Sequence, residues 1–201
     1  MRNSCSLLLP FVLLGSFICQ QKPPGPPPMI NKITQAGVMH FADGTTRPIP
    51  HFNDTNYIVL FCVRHAEKVK DGSKDPDLLP EGQERAKRLG SILADVRLDR
   101  VCTTTYKRTI QTGEAVKNAA ANNPSLETYP PESQDVWLES VLAGGGGKKY
   151  LAVGHQNTVP QLLNRLMGKV EFQNILEEEF GKLYIAVTQK IGSTEVIEVG
   201  Y

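Results

Sequence analysis

The chain has 201 residues, of which 40% are hydrophobic and 21% charged, so it can bury the core of one catalytic domain but is short for two. Lysine and arginine total 22 against 21 aspartates and glutamates, and this balance provides no global field that would attract nucleic acid or an acidic membrane surface. Binding of anions must therefore depend on a local cluster of arginine and histidine side chains.

The N-terminus is the first strongly biased segment, with Met1-Arg2-Asn3 ahead of an apolar run that ends at Cys19. This pattern predicts a signal peptide over residues 1–19, because the run is short and interrupted by Pro10, whereas a membrane span needs about 20 apolar residues. Cys19 resembles the lipidated cysteine of bacterial lipoproteins, although Ile18 stands where that pattern prefers a small residue. We therefore expect an exported protein, periplasmic or anchored to a membrane through Cys19, with soluble export and an uncleaved anchor as alternatives.

The proline-rich residues 20–29 predict an extended linker of polyproline type. The catalytic domain is then expected over residues 30–201. Two of the four cysteines, Cys62 and Cys102, fall in this part, and their short apolar surroundings favour buried thiols over a disulfide framework. No feature of the sequence indicates an oligomeric state.

Strand and helix patterns alternate along the domain. Asp43-Gly44 is a turn signal and predicts a small hairpin within residues 30–56. The continuous apolar run at residues 57–63 is typical of a central parallel strand buried on both faces. After it we expect helix 79–94, strand 100–104, helix 109–121, strand 150–154, helix 158–167 and a hairpin of 182–187 with 194–199. This order predicts an α/β fold, a three-layer α/β/α sandwich with a mainly parallel sheet and a C-terminal β-hairpin.

Basic residues follow three of the predicted strands. Arg64-His65 comes directly after the first, Arg108 lies behind a threonine-rich turn after the second, and His155 follows the third. Because the carboxyl ends of parallel strands meet at one edge of a sheet, these side chains are expected to converge there. Two guanidinium forks suit phosphate oxygens, and two imidazoles can serve as nucleophile and as donor to a transferring group. The pattern therefore indicates phosphoryl chemistry on a small phosphorylated substrate.

Four segments, in this order, resemble the histidine phosphatase superfamily: Val63-Arg64-His65-Ala66-Glu67-Lys68, Asp77 to Ala86, Thr105 to Thr112, and Val153-Gly154-His155. The resemblance covers roughly residues 58–199 and implies a phosphoglycerate mutase-like fold. It further implies a metal-independent phosphatase without a cofactor, in a compact branch with an Arg-His-Ala-Glu-Lys motif, where Ala66 replaces a glycine.

The resemblance also implies a role for each of the four basic residues. His65 would attack phosphorus and become a phosphohistidine, Arg64 and Arg108 would hold the phosphate oxygens, and His155 would support the transition state.

The group that protonates the leaving oxygen is less defined by the sequence. Many relatives use a glutamate between the second arginine and the second histidine, which makes Glu132, Asp135 and Glu139 candidates. Glu67 competes because it adjoins the nucleophile, although a salt bridge to a neighbouring basic residue is the more ordinary role for it. Glu67 and Glu132 stay as equal alternatives.

Three other interpretations compete with a histidine phosphatase. Cys102 and Arg108 have the Cys-x5-Arg spacing of cysteine-dependent phosphatases, but three consecutive threonines are a poor phosphate-cradling loop and both histidines would be unexplained. A mutase-like phosphotransferase would pass the phosphoryl group on. An exported module could bind phosphorylated ligands without turnover, but it would give His65 no purpose.

Overall fold

The computed structural model describes residues 25–201; the predicted signal peptide, Cys19 and the first part of the linker lie outside this range. A six-stranded sheet forms the centre and a small three-stranded sheet lies at the N-terminus. The strands are β1 (Ile30–Ile33), β2 (Val38–Phe41), β3 (Thr46–Pro48), β4 (Ile58–Arg64), β5 (Arg100–Thr104), β6 (Ser125–Tyr129), β7 (Lys149–Gly154), β8 (Lys182–Lys190) and β9 (Ser193–Gly200). The helices are α1 (Pro80–Leu93), α2 (Lys107–Ala119), α3 (Gln134–Ala143) and α4 (Thr158–Met167).

The central sheet has the strand order β6-β5-β7-β4-β8-β9. Its first four strands are parallel, and β8 and β9 add antiparallel at the other edge as a C-terminal hairpin. The mainly parallel sheet and the terminal hairpin confirm the predicted fold class. In register, Arg64 at the end of β4 pairs with Gly154 at the end of β7, which brings two of the predicted site segments side by side.

Every residue of β4 is buried, as a continuous apolar run predicts for a central strand. Side chains alternate between the faces: Val59, Phe61 and Val63 join a core with α1, α2 and the small sheet, whereas Leu60 and Cys62 join a core with α3 and α4. Two apolar layers therefore cover the two faces of the sheet. The polar residues at the end of β4 lie at the carboxyl edge of the sheet, outside these layers.

Helix α1 begins at Pro80, whose fixed φ suits a first helical position, and it buries a stripe that includes Leu89, Ile92 and Leu93. Near its start, Gly82 packs so closely on the backbone of Glu67 that a Cβ there would collide with the Glu67 carbonyl oxygen. The helix is therefore seated directly on the segment that carries His65.

The structure departs from the sequence-based expectations in three places. The N-terminal hairpin gains a further strand, β1, which pairs antiparallel with β2. Strand β6 and helix α3 were not predicted; β6 is a mostly exposed edge strand, and α3 lacks a capping hydrogen bond from its N-cap side chain. The contacts of the domain also extend into the predicted linker, because the Gly200 N–H donates to the Pro28 carbonyl at 2.9 Å.

Within residues 25–201, no helix is long and apolar enough to cross a membrane.

Candidate active site

The four predicted basic residues meet at the carboxyl edge of the parallel strands. Arg64 ends β4, His65 follows it, Arg108 lies in the first turn of α2 behind β5, and His155 follows β7. They line one pocket of about 430 Å³. Its other lining residues are Lys68, Tyr106, Pro131, Gln156, Asn157, Thr158 and Glu177. Strand-end placement therefore brings together the set that the sequence pointed to.

His65 is only 3% exposed and is held by its own neighbour. Its Nδ1 atom lies 2.7 Å from the carbonyl oxygen of Ala66, which can only accept, so Nδ1 carries the hydrogen and Nε2 keeps a lone pair. Burial, with smaller contributions from Arg108, His155 and Arg64, lowers the pKa of His65 to about 3. The imidazole is therefore neutral at physiological pH, as an attacking nitrogen must be.

Arg64 is anchored to the loop that follows α4. Its Nη1 atom donates to the carbonyl oxygens of Leu176, Glu177 and Glu179 at 2.7, 2.9 and 2.9 Å. The guanidinium carbon also lies 4.2 Å from the centre of the Phe180 ring, a cation–π contact. These contacts fix the plane of the guanidinium.

Arg108 has a matching arrangement on the other side of the pocket. Its guanidinium carbon lies 4.4 Å from the centre of the Tyr106 ring. Asp75 Oδ1 lies 3.8 Å from Arg108 Nη1, and the same oxygen accepts the backbone N–H of Lys107 at 2.9 Å, so that it caps the N-terminus of α2. Each of the two arginines is thus backed by one aromatic ring.

Several buried guanidinium nitrogens have no hydrogen-bond acceptor in the described part of the chain. They are Arg64 Nε, Arg108 Nε and Arg108 Nη1. A buried donor without a partner costs about 1–3 kcal/mol, more when it is charged, so such groups are retained where they serve a ligand. Fork-shaped cationic donors match the oxygens of a phosphate.

His155 is 8% exposed and lies at right angles to Tyr106, with ring centres 5.2 Å apart. Its Nδ1 atom is 3.4 Å from Arg108 Nη2, and its Nε2 atom is 2.9 Å from Thr104 Oγ1. Burial and then the charges of Arg108 and Arg64 lower the pKa of His155 to about 4. The resting side chain is therefore neutral.

Thr112 links the segment after β4 to helix α2. The backbone N–H of Ala66 donates to Thr112 Oγ1 at 3.1 Å, and that hydroxyl donates to the carbonyl oxygen of Arg108 at 2.7 Å. Ala66 itself is fully buried, so the methyl group that replaces the family's glycine points into packed protein.

Neither glutamate proposed as the general acid lines this pocket. The Glu67 carboxylate is held by Arg85, and the residue lines a smaller neighbouring pocket that shares Arg64. Glu132 lines a separate groove between α3 and α4, together with Asp135. Neither Glu67 nor Glu132 lines the pocket that contains His65, and the role of either as general acid stays a prediction.

Glu177 is the site carboxylate that sequence reasoning missed. It lines both the pocket and its neighbour, and its charge is the one that most strongly opposes the lowering of the Arg64 pKa by burial. The run Glu177-Glu178-Glu179 was a visible signal, but nothing in its spacing indicates that the loop returns to β4.

Cys102 is fully buried in the core beneath α3, and burial raises its thiol pKa to about 12. Such a thiol is not a nucleophile near neutral pH, which argues against the Cys-x5-Arg interpretation. Cys62 is likewise a buried free thiol, as expected. Residues 25–201 contain no group of three or more His, Cys, Asp or Glu side chains arranged to hold a metal ion.

Part of the chain is similar in sequence to known proteins. The family model of the histidine phosphatase superfamily, branch 1, matches residues 60–129. A broad-specificity phosphatase of Saccharomyces cerevisiae, YOR283W, is 33% identical over 78 residues, which cover 33% of this chain and 34% of that protein. The chain therefore matches about a third of the length of this relative.

Solved structures share the fold at low sequence identity. The protein histidine phosphatase SixA, in complex with tungstate, gives a TM-score of 0.58 at 17% identity, over 71% of this chain and 96% of SixA. YhfR of Bacillus stearothermophilus gives 0.56 at 16% identity, over 69% and 95%. With the family-model match over residues 60–129 and the four motifs in order along this fold, the chain resembles the histidine phosphatase superfamily.

Proposed function

We propose that this protein is a phosphomonoester hydrolase that acts on a small phosphorylated substrate through a phosphohistidine on His65. The observation that carries the proposal is the set of buried guanidinium donors without acceptors, on Arg64 and Arg108, around a neutral imidazole with a free lone pair. A tetrahedral dianion supplies the acceptors that these donors lack, and its phosphorus is an electrophile for the imidazole.

The proposed reaction has two displacements at phosphorus. In the first, Nε2 of His65 forms a bond to phosphorus while the bond to the ester oxygen breaks, and the departing oxygen takes a proton. In the second, water attacks the phosphohistidine, loses a proton, and the nitrogen–phosphorus bond breaks to release inorganic phosphate. His65 returns to its neutral form, with Nδ1 still donating to the Ala66 carbonyl.

Positive charge on both sides of the reacting group favours this path. The transferring phosphoryl group spreads negative charge over its equatorial oxygens, and fixed cations stabilise that charge without reorganising. Arg64 and Arg108 are held in place by ring stacking, and Arg64 also by three carbonyl oxygens, so their orientation is established before substrate arrives. The negative charge of a bound anion raises the pKa of His155, so that the ring can take a proton from solvent and add a further donor to the site.

Protonation of the leaving oxygen requires a carboxyl group at the pocket. Glu67 and Glu132 were the sequence candidates, and both lie in adjoining pockets. Glu177 lines the pocket itself, so we propose it as the third and best-placed candidate. A general acid matters most when the leaving oxygen is a poor leaving group, which gives a way to identify it.

Hydrolysis is favoured over phosphoryl retention because the yeast relative is named as a broad-specificity phosphatase, and SixA, which shares the fold, is named as a protein histidine phosphatase. A volume of about 430 Å³ lies in the lower part of the range for small-molecule sites, which suits a small phosphoester. We infer an exported location from the predicted signal peptide, with Cys19 as a membrane tether. Membrane association that is unchanged in Cys19→Ser would remove the tether from this proposal.

The function is tested with a panel of phosphoesters in the presence and absence of EDTA. We expect release of inorganic phosphate from an aryl phosphate with EDTA present, because the pocket supplies its positive charge from arginine. Activity that is lost on chelation and restored by zinc or magnesium would contradict the proposal. Transfer of the phosphoryl group to a second hydroxyl, without net release of phosphate, would indicate the mutase alternative.

A further inference from the structure

A buried threonine hydroxyl contacts His155, and a second threonine hydroxyl contacts the first. Thr104 Oγ1 lies 2.9 Å from His155 Nε2 and 2.9 Å from Thr109 Oγ1. Both threonines are fully buried, and neither lines the pocket. The hydroxyl pair therefore cannot touch a substrate in the pocket and can act on it only through His155.

The contacts of Thr109 determine the direction of each hydrogen bond from Thr109 through Thr104 to His155. Thr109 Oγ1 lies 2.7 Å from the carbonyl oxygen of Tyr106 and 3.0 Å from that of Thr104. Carbonyl oxygens only accept, so the single hydroxyl hydrogen of Thr109 is directed to them. Thr109 Oγ1 then accepts the hydroxyl hydrogen of Thr104, and Thr104 Oγ1 is left to accept from His155. Nε2 of His155 must therefore carry a hydrogen.

A contact at the opposite edge of the His155 ring independently indicates the same tautomer. Arg108 Nη2 lies 3.4 Å from His155 Nδ1, and a guanidinium can only donate. The neutral ring thus has its hydrogen on Nε2 and its lone pair on Nδ1, the edge next to Arg108. Two separate neighbours specify one tautomer and one ring orientation.

We propose that Thr104, oriented by Thr109, is a positioning residue that fixes the tautomer and orientation of His155 so that Nδ1 faces the phosphoryl site. Thr104 accepts from Nε2 whether the ring is neutral or protonated. When an anion enters, Nδ1 can therefore gain a proton and donate to a phosphoryl oxygen while the contact behind it stays unchanged. The catalytic consequence rests on the proposed function, whereas the tautomer does not.

The chain offers a matched set of variants for this test. Thr104→Val keeps the shape and removes the hydroxyl, and Thr104→Ser keeps the hydroxyl. Thr103→Val is the control, because Thr103 is the preceding residue of β5, is also fully buried, and donates to the Thr104 carbonyl at 3.0 Å without a hydrogen bond to His155. A role in packing alone would make the two valine variants behave alike.

We expect Thr104→Val to lower kcat roughly ten- to a hundredfold with KM changed less than about threefold, because the lost interaction serves the transition state. Thr104→Ser should restore most of the rate, and Thr103→Val should stay near wild type. Added to His155→Ala, Thr104→Val should cause no further loss, since its effect passes through that ring. An undiminished kcat in Thr104→Val, or an equal loss with and without His155, would overturn the proposal.

The tautomer itself is measured by NMR of isotope-labelled imidazole nitrogens, with His155 assigned by comparison with His155→Ala. Wild-type protein should show a protonated Nε2 and an unprotonated Nδ1, and Thr104→Val should lose this single pattern while Thr103→Val keeps it. A wild-type ring protonated on Nδ1 alone would refute the inference without any variant. If the predicted tautomer is found but no phosphoester is hydrolysed, the proposed function fails and the positioning of His155 stands.

Discussion

The carboxylate of Glu67 is clamped by Arg85, with Oε1 2.7 Å from Nη2 and 2.8 Å from Nε. Both side chains are largely shielded, with 16% of Glu67 and 30% of Arg85 exposed. The contact joins the residue two positions after His65 to helix α1, which favours a structural role for Glu67.

Glu67→Gln should therefore reduce the free energy of unfolding by about 1–3 kcal/mol, because it leaves a half-buried guanidinium without its counter-charge. Urea unfolding measures this loss. Glu84→Gln is the control, since its exposed pair with Lys87 on the same helix should contribute less than about 1 kcal/mol. If Glu67→Gln keeps full stability but fails on substrates with poor leaving groups, Glu67 is the general acid after all.

Glu177→Gln should slow the hydrolysis of alkyl phosphates roughly a hundredfold while the hydrolysis of p-nitrophenyl phosphate changes little, because only the poor leaving group needs a proton. Steady-state rates on both substrates measure the contrast. Glu178→Gln is the matched control, as Glu178 lines only the neighbouring pocket. The same contrast in Glu132→Gln, and its absence in Glu177→Gln, would return the role to Glu132.

His65→Ala should abolish turnover, because no other group in the pocket is proposed to accept the phosphoryl group, whereas Cys102→Ser should keep most of it. Acid-quenched wild-type enzyme should carry a phosphate that is labile in acid and stable in base, as a phosphoramidate is. Loss of activity in a folded Cys102→Ser protein, with full activity in His65→Ala, would support thiolate attack instead.

Arg108→Ala should weaken inhibition by vanadate as well as turnover, since it removes guanidinium donors from both the ground state and the transition state. We expect at least a tenfold rise in the inhibition constant, on the order of the loss of one charge-assisted hydrogen bond. Arg100→Ala is the control, because Arg100 also lies over an aromatic ring, that of Tyr150, but belongs to a surface pair with Glu127. Equal vanadate inhibition in both variants would place Arg108 outside the site.

Acid should destabilise the fold partly through His65. Its folded pKa of about 3 lies below the ordinary value of 6.5, so between these values the unfolded chain binds a proton that the folded protein does not. This contribution is fully present above pH 6.5 and is lost progressively as the pH falls toward 3. The wild-type free energy of unfolding should thus fall more between pH 7 and pH 4.5 than that of His65→Asn, which cannot titrate. Parallel curves for the two proteins would contradict the pKa assignment.

The sequence predicted correctly the strands and helices whose buried residues follow a regular apolar pattern. Strand β4 is apolar from Ile58 to Val63 because both its faces are covered, and β5 and α4 were predicted with the bounds that the structure has. Strand β6 was missed because an edge strand with exposed faces carries no apolar alternation. Helix α3 was missed because it follows two prolines, has no side-chain cap and exposes Val136.

The residues of the candidate site likewise fall into those that the sequence predicted and those that it did not. Arg64, His65, Arg108 and His155 could be placed from sequence because each lies at or near the end of a recognisable strand, and parallel strands end at one edge. Glu177 could not, since it belongs to a loop without periodicity whose path is set by long-range contacts with Arg64. The Thr104–Thr109 pair was visible only as a threonine-rich turn, because its function depends on which nitrogen of His155 it meets.

The bonds from Arg64 to residues 176–179 also set when the proposed site can first be complete. They join positions 112 to 115 apart in the chain, so Arg64 is locked in place only after nearly the whole polypeptide is available. A nascent chain that stops after α4, or a fragment lacking the segment before β8, would have both histidines and still lack a fixed Arg64. If the protein is exported as proposed, an incomplete or unfolded precursor therefore passes through the cytoplasm without a competent site among that compartment's phosphoesters.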